Sequence, residues 1–119
     1  MKVEIKSFIS PDILDFKNFE PTNKESFSFL LELVVGVKGK VGGDLFSIEV
    51  STPKWLLENY KKEEILFCRH RIIVFEYDIN RIINKIENHF ESVTGNSWEE
   101  IANKISRIAH WEFEDYKPN

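Results

Sequence analysis

Cysteine is almost missing from this 119-residue chain: Cys68 stands alone. That excludes an internal disulfide framework and a zinc site built from several thiolates, and it fits a reducing cytoplasm. Long apolar runs are missing too. No stretch of about 18 apolar residues could span a bilayer, and Met1-Lys2-Val3-Glu4 opens straight into alternating residues without the apolar region of a signal peptide. A soluble cytoplasmic protein without membrane contact is the expectation. Positive charge is not in excess either. Lys and Arg total 16 against 20 Asp and Glu, for a net charge of -4, so the surface as a whole should repel a phosphate backbone, and nucleic acid is not an expected partner. No repeat or low-complexity segment breaks the chain.

What is present suffices to fold. Apolar residues make up 42% and aromatics 13%, enough burial to offset chain entropy over most of the length. The length corresponds to one domain over residues 1–119. Residues 2–9 read as a strand with Val3, Ile5 and Ile9 on one face. Ser10 to Ser26, punctuated by Pro11 and Pro21, reads as a long loop pinned by aromatics or a short helical turn. The period of two from Phe27 to Val37 marks a central strand, and a glycine-bearing loop leads to a second strand carrying Phe46, Ile48 and Val50. Thr52-Pro53 starts a short helix to about Lys61, and a strand is expected from Leu66 to Tyr77. Two amphipathic helices follow, one capped by Asp78 and one by the capping box Ser97-Trp98-Glu99-Glu100, the second with an apolar stripe of Trp98, Ile101, Ala102, Ile105, Ile108 and Ala109. The sum is an α+β fold: an antiparallel sheet of about four strands, with a short helix and two C-terminal amphipathic helices packed on it.

Little of the polar chemistry forms a recognisable site. Cys68 and His70, two apart on the predicted strand, would share a face, but one thiolate and one imidazole do not complete a zinc site. His89 and His110 fall on or after separate helices, and no spacing brings them close. A buried cysteine beside a satisfied histidine is favoured over a small hydrolase that uses the pair. Phe67, Arg69, Arg71 and Phe75 interleave rings and cations as a single-strand platform does, yet the alternative is a solvated sheet face where the arginines pair with Glu32 or Glu49. The glycines from Gly36 to Gly43 precede a strand rather than a helix, so they form a hairpin loop and not a phosphate cradle. No metal, cofactor or catalytic group is expected.

The C-terminal run Trp111-Glu112-Phe113-Glu114-Asp115-Tyr116 is different. Extended, it would place Trp111, Phe113 and Asp115 on one side and Glu112, Glu114 and Tyr116 on the other. Its aromatics could anchor it while its acids form a negative rim for a basic partner; equally, it could be a tail held down by its own rings.

The ordered set of blocks resembles the immunity protein 8 family of bacterial polymorphic toxin systems. The blocks are Met1-Lys2-Val3-Glu4-Ile5-Lys6-Ser7 with Ser10-Pro11-Asp12, Phe27-Ser28-Phe29-Leu30-Leu31, Ser51-Thr52-Pro53-Lys54-Trp55-Leu56, Ile73-Val74-Phe75-Glu76-Tyr77-Asp78, Ser97-Trp98-Glu99-Glu100-Ile101-Ala102 and the closing acidic–aromatic run. Members often carry cysteine where this chain has Ser51, a small-for-small exchange that leaves the fold reading intact. The resemblance implies a non-enzymatic cytoplasmic protein that binds and neutralises a cognate toxin by occluding its surface; a general interaction module without a toxin partner is the alternative. It supplies no set of functional residues. Partner contact is expected first at Trp111, Glu112, Glu114 and Asp115, and second at Asp12 and Asp15 in the N-terminal loop. A basic nuclease is one toxin that an acidic inhibitor suits.

Overall fold

The computed structural model describes residues 1–115. The strands are β1 (Val3–Ile9), β2 (Ser28–Val37), β3 (Asp44–Ser51), β4 (Arg71–Ile73) and β5 (His110–Trp111); the helices are α1 (Pro53–Asn59), α2 (Ile79–Glu91) and α3 (Trp98–Ile105). Strands β1, β2 and β3 form an antiparallel meander. The fold is α+β with a mostly antiparallel sheet, as the residue pattern suggested.

Alternation sets which face is covered. Phe29, Leu31, Leu33 and Val35 of β2 and Phe46, Ile48 and Val50 of β3 are buried, and they meet Ile82, Ile86 and Phe90 of α2 and Ile101, Ala102 and Ile105 of α3. Residues three and four apart supply each helical stripe, and each large side chain so buried stabilises the fold by about 1.5–3 kcal/mol. The helices start where the caps are. The side chains of Thr52, Asp78 and Ser97 accept from the amides of Trp55, Arg81 and Glu100. The capping box closes one residue earlier than expected, because Glu100 Oε2 accepts from the Asn96 amide at 3.0 Å rather than from Ser97. That bond and Lys104 hold the Glu100 carboxyl below its ordinary range.

The hairpin joining β2 and β3 needs its glycines. A Cβ on Gly36 would collide with the Gly42 carbonyl oxygen, and Gly42 itself lies at φ +86°.

Three expectations need correction. In β1 the register shifts between Ile5 and Ser7, leaving Lys6 as a bulge. The extra residue reverses the faces, so Phe8 packs towards the core and Ile9 is exposed, contrary to the simple alternation. The last helix stops at Ile105 instead of running to Ala109.

The largest correction concerns Leu66–Tyr77, of which only Arg71–Ile73 is strand, and that strand runs parallel to β3. Residues 52–70 contain α1 and carry the chain back to the end of β3 where it began, long enough for the crossover of a dozen or more residues that parallel strands need. Glu49 pairs with Arg71, so a longer β4 would lie beside Phe46 and Ser47. Those positions are taken by β5, through Phe46 with Trp111 and Ser47 with His110. The two short strands therefore lie end to end along one edge of β3, and the front of the predicted strand is excluded. Ile65 and Phe67 are consequently 89% and 97% exposed.

Candidate functional site

The junction of β4 and β5 gathers the polar side chains that the sequence kept apart. His70 immediately precedes β4, in a left-handed backbone at φ +68°, a conformation that costs an L-residue about 1–2 kcal/mol. His110 opens β5. After Trp111 the chain turns, with the Glu114 amide donating to the Trp111 carbonyl at 2.9 Å, and the turn sends Glu114 back between the two histidines. The rings of His70 and His110 lie edge to face with centroids 5.4 Å apart. Glu114 Oε1 is 3.6 Å from His70 Nε2, and its Oε2 is 3.4 Å from His110 Nδ1.

Arg69 closes the cluster. Its Nη2 donates to Glu114 Oε1 at 2.7 Å, while Nε and Nη2 both donate to the Ser106 carbonyl at 3.3 and 3.0 Å. His70 Nε2 approaches that same carbonyl at 3.1 Å. Of the expected cross-strand partners, Glu49 does stand opposite Arg71 in the β3–β4 register, with no ion pair between their side chains among the described residues, whereas Arg69 turns away from the sheet. Arg69 binds the C-terminal tail, and Arg71 sits 5.8 Å over the Tyr60 ring. Both cations have partners within the chain, while Phe67 and Phe75 are exposed. Cys68 is exposed in the loop rather than buried, and no hydrogen bond joins it to His70 among the described residues.

The tail is not extended along its length. Trp111 stacks on Phe46 with planes 11° apart, and Phe113 meets Trp111 edge to face at 5.9 Å. Asp44, which no sequence signal singled out, accepts from two indoles: Trp98 Nε1 at 2.7 Å and Trp111 Nε1 at 2.9 Å. One carboxylate so ties the start of β3 to α3 and β5 with two charge-assisted bonds. Glu112 extends the ladder past β5, its amide donating to the Leu45 carbonyl at 3.0 Å and its Oε2 accepting from the Leu45 amide at 2.9 Å. Asp115 is exposed at φ +60°. Tyr116 lies outside the described residues.

The second expected set sits elsewhere. Asp12 Oδ2 accepts from the Leu30 amide at 2.8 Å while Ser10 Oγ donates to the Leu30 carbonyl at 2.7 Å, so two side chains continue the β1–β2 ladder where β1 has ended. Asp15 accepts from Asn18. Both belong to the β1 side of the sheet and the tail to the β3 side, so the structure does not bring the two sets together.

Sequence reasoning also missed the apolar loop. Leu66 and Phe67 fall within the expected strand Leu66–Tyr77 and Ile65 just before it, and their exposure is recognisable only with β5 already placed. The loop and the tail are neighbours, joined by Arg69 and Glu114. No described helix is long and apolar enough to cross a membrane.

No curated protein and no solved structure matches the chain. A family model described as Immunity protein 8 matches residues 3–116. That match takes in every strand and helix described above, and the chain belongs to the immunity protein 8 family.

Proposed function

We propose that the protein is a non-enzymatic immunity protein that binds and neutralises the cognate toxin of a bacterial polymorphic toxin system, in the cytoplasm, by occluding the toxin's active or delivery surface. The family match over nearly the whole chain carries this reading. The docking surface that fits it best is a composite: the apolar loop with Ile65 and Phe67, and beside it the tail with Trp111, Glu112, Glu114 and Asp115. An apolar centre with a charged rim is the usual anatomy of a protein interface. Within the tail the roles divide. Trp111 and Glu114 hold the tail in place, Glu112 both anchors it through Leu45 and adds charge, and Asp115 completes the negative rim. Asp12 and Asp15 are a separate, secondary contact.

Coexpression tests the function itself. The product of the neighbouring gene should kill cells alone and spare them when this protein is present; equal killing in both cases sinks the immunity reading.

The rim is tested by charge. Glu112→Gln with Asp115→Lys, which leaves Glu114 in its internal bonds and keeps a side-chain acceptor for the Leu45 amide, should slow association with a basic toxin by about 10-fold at low salt and flatten its salt dependence. Unchanged association rates across a salt series would place the rim elsewhere.

A further inference from the structure

We infer that His70, His110 and Glu114 form a binding site for a divalent first-row transition ion, zinc above all. Each residue offers one ligand atom, and the three atoms lie within 4.8 Å of one another. Two imidazoles and one carboxylate are a ligand set that zinc accepts, leaving the fourth position open to water. The spacing fits. Bonds of 2.0–2.1 Å in a tetrahedron place neighbouring ligand atoms about 3.3–3.4 Å apart, and the carboxylate oxygens stand 3.4 Å from His110 Nδ1 and 3.6 Å from His70 Nε2. These are two different oxygens, Oε2 towards His110 and Oε1 towards His70, so binding through one of them needs the carboxyl to turn and the imidazoles to close in, and His110, with a side chain 52% exposed, has room to move.

The surrounding bonds suit a ligand role. A metal needs the His70 Nε2 lone pair, so this nitrogen must give up the Ser106 carbonyl. That carbonyl is left with two donors from Arg69 and is not orphaned. Arg69 also binds Glu114 Oε1, orienting the carboxylate as outer partners of metal ligands do. Its positive charge opposes the incoming cation, so the site should bind more weakly than one without it. A bound ion would join the residue before β4, the first residue of β5 and the following turn, three points held together now by hydrogen bonds, the Arg69–Glu114 ion pair and the contact of the two imidazole rings.

The test is calorimetric titration of the untagged full chain with zinc chloride, with magnesium chloride as a hard-ion control. One zinc per chain, with no magnesium binding, is the expected result. His110→Ala, the most exposed of the three, is the variant least able to disturb the fold; His70→Ala and Glu114→Gln accompany it, with folding checked by circular dichroism. Each should weaken zinc binding by more than the roughly 10–100-fold that loss of an outer partner costs. Cys68→Ser and His89→Ala should change nothing. Zinc uptake by folded His110→Ala equal to that of the parent, loss of binding on Cys68→Ser or His89→Ala, or no stoichiometric zinc binding by the parent chain would overturn the proposal.

Discussion

Truncating Phe46 to alanine is expected to lower the unfolding free energy by about 3–5 kcal/mol, the range for removing a phenylalanine from a packed interior. Phe46 is fully buried, and its loss is felt in two places. In the core it leaves a cavity between β3 and the helices that close packing does not fill. At the edge it takes away the ring on which Trp111 stacks and against which β5 is registered. Urea unfolding should therefore show a lower midpoint with an unchanged slope. Trp111 should become more accessible to a fluorescence quencher even where the variant remains folded. A loss of under 1 kcal/mol would mean that β5 and the core relax together and that the edge is not anchored by this pair.

The second large effect lies on the surface. Replacing Ile65 and Phe67 with serine should leave stability within about 0.5 kcal/mol of the parent, because the two side chains are 89% and 97% exposed. Toxin binding should suffer heavily. Interface anchors carry about 2 kcal/mol each, roughly 30-fold in affinity per side chain, and the double variant should lose more than about 100-fold. The loss belongs in the dissociation rate, whereas the charge changes at Glu112 and Asp115 act on association. Kinetics on an immobilised toxin separates the two, and full affinity in the folded double variant would move the docking surface away from the β4 edge.

The contrast between these two phenylalanine sites shows what a sequence conveys. Phe46 is legible: it sits in a period-two run, and alternation alone places it in the core. Phe67 sits in an equally apolar run and is exposed. Nothing local distinguishes them. The difference arises at the edge of β3, where β5, from the far end of the chain, takes the place that Phe67's segment would have filled. The meander and the two amphipathic helices were legible because each depends on periodicity and caps within a few residues. The direction of β4 was not, because it depends on how α1 returns the chain. The histidine–glutamate cluster was hidden for the same reason. His110 and Glu114 are four apart, but His70 joins them only through the end-to-end placement of two short strands. The bulge at Lys6 is a smaller case, one residue that sends Phe8 inward and Ile9 outward.

The shared edge of β3 also bears on the order in which the molecule gains its structure. The β2–β3 hairpin closes between Val35 and Asp44, nine residues apart by subtraction, whereas Ser47 must find His110, sixty-three residues away (110 − 47). Loop-closure entropy grows as three-halves RT ln n, so the second closure is less favourable by about 1.7 kcal/mol before any contact is made. A two-residue strand offers few bonds to offset this. The hairpin is therefore expected to nucleate early, and the β5 edge, with the tail it carries, to dock last and open first.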